Sequence, residues 1–248
     1  SWTCHMRDLT NAMLDSLAIA GNAQCLDLTC GTGYATGRIA EKTAGKVIGV
    51  DRSEGMLKCA REQYGQRCEF TQSDILEYLR NCPASSFDLI TCCWGLGYSR
   101  PLAVLRQIRR VLKPGGQVAI IDNSLFSLKE ILFCSFLTFA ENPGKLANLM
   151  RFRFLPNSRY ATLLMKLARL KITAKADGTK AYTVATGREA IDRLHATGAA
   201  AGFEYAANDT DSEAIFNRFA EIIEQKYQTD HGINIIHRYL MITGTKRC

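Results

Sequence analysis

Apolar residues recur along the first half of this chain in two alternating rhythms. Met6, Leu9, Met13, Leu14 and Leu17 fall three and four apart, the spacing of one helical face, and Gly21 is placed to stop that helix. Gln24 to Leu28 is a short apolar run that predicts a buried strand, and Thr36 to Thr43 continues as a helix. Lys46 to Val50 predicts a second strand, with Ser53 as N-cap of a helix over Glu54 to Tyr64. Cys68 to Thr71 reads as a third strand, after which Asp74 starts a helix through Leu79. Phe87 to Cys92 is apolar enough to be buried on both faces. Pro101 then opens a helix reaching Leu112, and Lys113-Pro114-Gly115-Gly116 turns the chain into a fifth strand, Gln117 to Asp122. Five strands alternating with five helices predict a doubly wound α/β sheet that binds its ligand at the carboxyl ends of the strands.

After Asp122 the rhythm changes for roughly sixty residues. Leu125 to Phe139 is strongly apolar, yet fifteen residues broken by Lys129 and Glu130 are too few to span a bilayer, so a buried or interfacial helix is expected. Leu146 to Phe154 and Tyr160 to Ile172 interleave aliphatics with arginine and lysine, and Thr173 to Thr186 is looser. The α/β pattern resumes with a helix over Glu189 to Ala201 closed by Gly202, a strand over Phe203 to Ala207, an amphipathic helix over Glu213 to Tyr227 and a last strand over Ile235 to Thr243. The expected division is an α/β core over 1–122, a helical insertion over 123–186, and a completion of the core over 187–248.

Composition changes this picture little: 248 residues with 47% apolar content suit one large domain or a domain with an insertion. Ten cysteines, without a Cys-x-x-Cys pair or a signal-peptide pattern ahead of them, read as buried thiols of a reducing cytoplasm, and no metal site is expected. The chain begins at Ser1 without a methionine, which gives the expectation that native residues precede it. Charge changes more. Nine basic residues and a single acid, Asp177, lie between Lys145 and Lys180, leaving 22 of the 31 basic and 23 of the 24 acidic residues elsewhere. The formal charge of +7 therefore belongs to the insertion.

The candidate chemistry centres on Leu26-Asp27-Leu28-Thr29-Cys30-Gly31-Thr32-Gly33-Tyr34, a glycine turn between a strand and a helix. Gly31 and Gly33 let a ligand approach bare backbone, and the helix start behind them offers unpaired N–H donors. The dinucleotide fingerprint fails, because Thr36 stands at its third glycine position and Gly37 comes one residue late. Instead Asp27 precedes the glycines as Asp-x-x-x-Gly-x-Gly, Asp51 ends the second strand, Asp74 follows the third, and Leu112-Lys113-Pro114-Gly115-Gly116 precedes the fifth. This series resembles the class I S-adenosylmethionine (SAM)-dependent methyltransferases over about Leu26 to Asp122 and again at Gly202-Phe203. Phe87-Asp88-Leu89-Ile90 and Arg110 to Gly116 are similar to the branch containing the ubiquinone and menaquinone biosynthesis and many natural-product methyltransferases. Thr29-Cys30 departs from the more usual Gly or Ala-Cys, and the N-terminal Tyr-Asp element common in the quinone enzymes is absent or truncated.

The resemblance implies a Rossmann-like, seven-stranded sheet with a helical lid inserted after strand five, using SAM and releasing S-adenosyl-L-homocysteine. It implies that Thr29, Cys30, Gly31 and Gly33 admit the methionine tail with Asp27 supporting its amino end, that Asp51 beside Arg52 accepts from the ribose hydroxyls, and that Met56 covers the ribose or adenine. Asp74 and the backbone amide of Ile75 would read the adenine, and Cys93 and Trp94 would meet the methionine part and the incoming acceptor. Possible bases for an acceptor proton are His5, Tyr98, His195, His231 and His237, and none is assigned as catalytic. Leu125, Phe126, Leu132, Phe133, Phe136, Leu137 and Phe139 imply a hydrophobic or aromatic small-molecule acceptor, quinone-, polyketide- or lipid-like, methylated on O, C or N. The basic residues of the same segment imply an acidic acceptor group or peripheral contact with an anionic membrane. Nucleic acid is not expected, because those basic residues alternate with aliphatics and not with stacking aromatics. Two alternatives stay open, a non-catalytic SAM-binding subunit and an NAD-dependent oxidoreductase.

Overall fold

A computed structural model of the chain describes residues 2–146, 152–197 and 211–247. Helix α1 (Trp2–Asp15) precedes β1 (Cys25–Leu28), α2 (Tyr34–Ala40), β2 (Val47–Asp51), α3 (Glu54–Tyr64), β3 (Glu69–Gln72), α4 (Ile75–Asn81), β4 (Phe87–Cys93), α5 (Pro101–Val111) and β5 (Leu112–Asn123). There follow α6 (Lys129–Glu141), α7 (Ser158–Leu167), β6 (Leu170–Val184), α8 (Gly187–Thr197), α9 (Ser212–Tyr227) and β7 (Ile233–Lys246). The seven strands form one sheet in the order β3-β2-β1-β4-β5-β7-β6. Strands β1 to β5 pair in parallel, and β7 runs antiparallel to β5 with Ile120 opposite Ile242. The chain winds outward from β1 to β3, then crosses back to β4 beside β1. That reversal opens a crevice above the carboxyl ends of β1 and β4, where ligands of such sheets bind.

Two compact units divide the chain: Arg7–Leu125 with Phe152–Gly178 and Tyr239–Cys248, and Ser1–Met6 with Phe126–Arg151 and Thr179–Arg238. In the first, Leu26, Leu28, Ile90, Val118 and Ile120 of the sheet meet Val104, Leu105 and Ile108 of α5 and Ala161, Leu164 and Met165 of α7. Met13 and Leu14 of α1 join Ala35, Ile39, Val47 and Leu89 in a second cluster. Each fully buried aliphatic side chain of this kind contributes about 1.5–3 kcal/mol, so these clusters hold the strand tips in place. The second unit has its own cluster, in which Ile131 and Cys134 of α6 pack with Ile191, Phe219, Ile222, Ile223, Ile233 and Ile235.

The insertion after β5 is not wholly helical. Residues 170–184 form β6, inside the insertion over 123–186 that the sequence pattern implies to be helical. The reason is position: β6 is the last strand in the sheet order, and an edge strand carries exposed lysines, here Lys171 and Lys175, in place of an apolar alternation. Helix α6 starts only at Lys129, because Leu128 takes a left-handed backbone with φ 54°. Most of Leu146 to Phe154, and all of the expected strand Phe203 to Ala207 with Gly202, lie outside the described residues. No helix among the described residues is long and apolar enough to cross a membrane.

Candidate cofactor site at the strand tips

The carboxyl ends of β3, β2, β1 and β4 stand side by side, and each carries part of the series anticipated from sequence. Gly31 and Gly33 have φ of 54° and 81°. A Cβ on Gly31 would meet nothing within 4 Å, so the backbone there fronts open space, while one on Gly33 would press Ala60, Tyr64 and Phe70 at 3.0–3.1 Å. Thus Gly31 leaves room for a ligand and Gly33 lets the start of α2 close against α3 and β3. Asp51, at the end of β2, bridges the two motifs: Gly31 N donates to Oδ2 at 2.9 Å and Ser53 N donates to Oδ1 at 2.9 Å. Each oxygen keeps a further lone pair for a hydroxyl donor.

Asp27 lies deeper than the sequence implies. It is fully buried, Thr36 Oγ1 donates to Oδ2 at 2.6 Å and Thr91 Oγ1 to Oδ1 at 2.7 Å. Burial raises its pKa to about 6 against the opposing pull of those two hydroxyls. Asp27 has no open face for a direct ligand contact. It ties β1 to α2 and β4 and so positions the turn.

At the tip of β3, Asp74 caps α4: Leu76 N and Glu77 N both donate to Oδ1, at 2.9 and 3.2 Å. Tyr78 N bonds Asp74 O inside the helix. Of the orphan amides of the first turn, Ile75 N–H therefore stays without a partner among the described residues, and so does Asp74 Oδ2. One free donor beside one free acceptor fits the hydrogen-bonding edge of an adenine. Arg52 is exposed, its carbonyl accepting from Gln72 Nε2 at 3.1 Å, and Met56 is 46% exposed at the start of α3, an apolar side chain held out beside Asp51.

Cys30 and Cys93 are buried, and burial drives both thiols well above the ordinary range, which disfavours the thiolate form. Thr29 and Trp94 both hold left-handed backbone, φ 57° and 63°, unusual for a β-branched and a bulky residue. The Thr29 hydroxyl sits 2.5 Å from Leu28 O and 3.3 Å from Cys93 O, and a Cβ on Gly95 would strike its side chain. Strained residues of this kind gather at functional sites. Trp94 Nε1 donates to Thr10 Oγ1 on α1 at 2.9 Å, and its ring meets Tyr239 edge to face.

Four residues here were not singled out in the sequence. Tyr34 OH donates to Asn11 Oδ1 at 2.8 Å and the Arg7 guanidinium lies 4.3 Å over the Tyr34 ring, so α1 is fastened to the residue that follows the glycine turn. Asp122, at the end of β5, is buried and accepts from Gly97 N and Asn123 N, each at 2.8 Å. Burial raises its pKa to about 7, countered by these amides. Of the possible bases, Tyr98 packs edge to face on Phe154, His231 is exposed, and the His195 side chain lies outside the described residues. His5 and His237 come together in the smaller unit around Tyr182, with ring centroids 5.0–5.7 Å apart, and burial with the neighbouring His5 lowers His237 to about 3. No group of three or more His, Cys, Asp or Glu able to hold a metal exists among the described residues.

A profile of the methyltransferase domain matches residues 25–116. The demethylmenaquinone methyltransferase of Lactococcus lactis subsp. lactis is 42% identical over 106 residues, 40% of this chain and 41% of that protein. That of Bacillus licheniformis is 33% identical over 149 residues, 56% of this chain and 62% of the relative. The chain thus spans between two fifths and three fifths of the length of these curated relatives. A solved structure from Bacillus halodurans C-125 shares the fold with a TM-score of 0.67 at 18% identity, covering 96% of this chain and 99% of the other. The matched stretch contains the glycine turn and the acids at the tips of β2 and β3, while the sheet order of the rest agrees with it. Residues 25–116 thus match the methyltransferase domain, and in these residues and this topology the chain is similar to the class I SAM-dependent methyltransferases.

Proposed function

We propose that this chain transfers the methyl group of SAM to an O, C or N atom of an apolar or aromatic small molecule, with a quinol-like acceptor as the first candidate. The observation that carries the reading is the run of neighbouring strand tips: open backbone at Gly31, the Asp51 carboxylate bonded to it at 2.9 Å, and the free Ile75 N–H beside Asp74 Oδ2. These residues fit SAM part by part. Bound there, SAM supplies a sulfonium methyl that is already an electrophile. The protein's task is then alignment and exclusion of water, and orientation alone supplies several kcal/mol of such a barrier.

Gly31 would seat the methionine tail, Asp51 would accept from the ribose hydroxyls, Ile75 and Asp74 would orient the adenine with Met56 across it, and Trp94 would bound the reacting end. Asp122 holds the turn after β4 through Gly97 N, which fixes where Trp94 stands. The acceptor class rests on two supports. The curated relatives are named for demethylmenaquinone, and α6 turns Leu132, Phe133 and Phe136 outward while burying Ile131, Cys134, Ser135 and Thr138. An exposed apolar face of that size suits an apolar ligand.

The test is incubation with methyl-labelled SAM and a demethylated naphthoquinol, with a phenolic acid as polar comparison. Label passing to the organic phase with the naphthoquinol is the expected result. SAM binding without transfer to any acceptor would assign the chain to a non-catalytic role, and label on the phenolic acid alone would overturn the apolar acceptor.

A further inference from the structure

Helix α7 carries more apolar surface than its packing uses. Its inner side is Ser158, Ala161, Leu164 and Met165, the last three seated in the core of the larger unit. Tyr160, Leu163 and Leu167, at i, i+3 and i+7, form a second stripe next to it and are 45%, 50% and 54% exposed. Along the outer edge of that stripe run Arg159 and Lys166, also exposed and themselves seven residues apart. Arg169 follows the helix with φ 60°, at the left-handed position where helices ordinarily place glycine.

The charges along the stripe narrow what it can fit. Some arginines and lysines elsewhere are paired, as Arg38 is with Glu41 and Arg218 with Glu141, and others such as Arg52 and Lys58 form no ion pair among the described residues; what is particular to α7 is that its cations flank an exposed apolar stripe in a segment with a single acid. Arg159, Lys166 and Arg169 form no ion pair among the described residues. The single acid of the surrounding segment, Asp177, is already engaged, accepting from Ser158 N and Ser158 Oγ at 2.7 Å each. An apolar stripe edged by unneutralised cations complements a surface that is apolar below and anionic above. A second copy of the chain would instead set these same cations against each other.

We propose that α7 docks on an anionic lipid bilayer, lying in the headgroup plane with Tyr160, Leu163 and Leu167 toward the acyl chains and Arg159, Lys166 and Arg169 on the phosphates. This does not rest on the methyl-transfer reading, and it is read out without activity.

The test is flotation of the full chain with vesicles of phosphatidylcholine alone and with one third phosphatidylglycerol. The expected result is binding to the anionic vesicles at least about tenfold tighter, weakened by raising salt because exposed charges are screened. Leu163→Asn with Leu167→Asn, and separately Arg159→Glu with Lys166→Glu, should each reduce that binding about tenfold or more. All four positions are exposed, so circular dichroism and the melting temperature should stay unchanged. Equal binding to both vesicles, or anionic binding indifferent to the leucine pair, overturns the proposal. So does a dimer without lipid that dissociates in the leucine variant, which would assign the stripe to self-association. If the leucine variant fails to fold, the salt dependence and the charge variant still decide.

Discussion

Asp51 is the residue on which the glycine turn and the second strand converge, since one oxygen holds Gly31 N and the other holds Ser53 N. Hydrogen bonds to a charged acceptor are worth about 1.5–3 kcal/mol each, so Asp51→Ala should weaken SAM at least about tenfold by calorimetric titration. Unchanged affinity would remove Asp51 from the site. Asp122 offers a prediction with a definite pH window. Its pKa rises from 3.8 to about 7 on folding, equivalent to about 4 kcal/mol. Below about pH 4 the folded and unfolded chains both hold this proton. Between about 4 and 7 the unfolded chain has released it and the folded chain has not, so this group's contribution to stability falls as pH rises, then levels off. Asp122→Asn cannot titrate and should therefore gain on the wild type by a few kcal/mol between pH 4.5 and 7.5 in denaturant unfolding. Taking the difference between the two proteins removes His237, whose lowered pKa gives the opposite slope between about 3 and 6.5. A difference independent of pH would mean that Asp122 is ionised throughout.

Among the elements, α4 separates capping from recognition. Asp74 uses Oδ1 for the cap and leaves Oδ2 free. Asparagine caps a helix about as well as aspartate, whereas alanine costs roughly 1 kcal/mol. Asp74→Asn should therefore keep the melting temperature but present an amide donor to the adenine amino group, weakening SAM severalfold. Asp74→Ala should lower both. An Asp74→Asn protein that binds SAM as tightly as the wild type would leave Asp74 as a cap alone. The elements also show what kind of signal the sequence carries. Helices α3, α5 and α9 and strands β1, β2 and β4 were legible because one face or the whole run meets the core. Edge strand β6 was not, because its exposed lysines erase the alternation.

For the whole molecule, the strand-tip reading predicts stabilisation by ligand. At a hundred times its dissociation constant, S-adenosyl-L-homocysteine should add about 2.7 kcal/mol to the folded state. For a chain of this size that corresponds to roughly 5–10 °C in melting temperature. NADH at the same concentration should give no shift, because the turn lacks the third glycine of a dinucleotide site. A shift with NADH and none with the homocysteine product would reassign the cofactor. Because the chain forms two compact units, the scan should be followed by two probes, Trp94 fluorescence in a Trp2→Phe variant for the larger unit and far-ultraviolet dichroism for the whole.

What the sequence determined by itself is the parallel half of the sheet and the order of residues along its tips. Those features are local: a buried strand writes an unbroken apolar run, a tight turn demands glycine, and an acid that ends a strand is visible by its place in the run. The tertiary structure alone decided which of these acids can face a ligand. Asp27 and Asp51 look alike in the chain, yet Thr36 and Thr91 enclose the first while the second stands at an open edge. It also decided that Arg7, Asn11 and Tyr34 fasten α1 to the turn, and that Asp122 holds the loop after β4. These depend on contacts between residues far apart in sequence, whose side chains meet only once hydrophobic burial has set the strands in register.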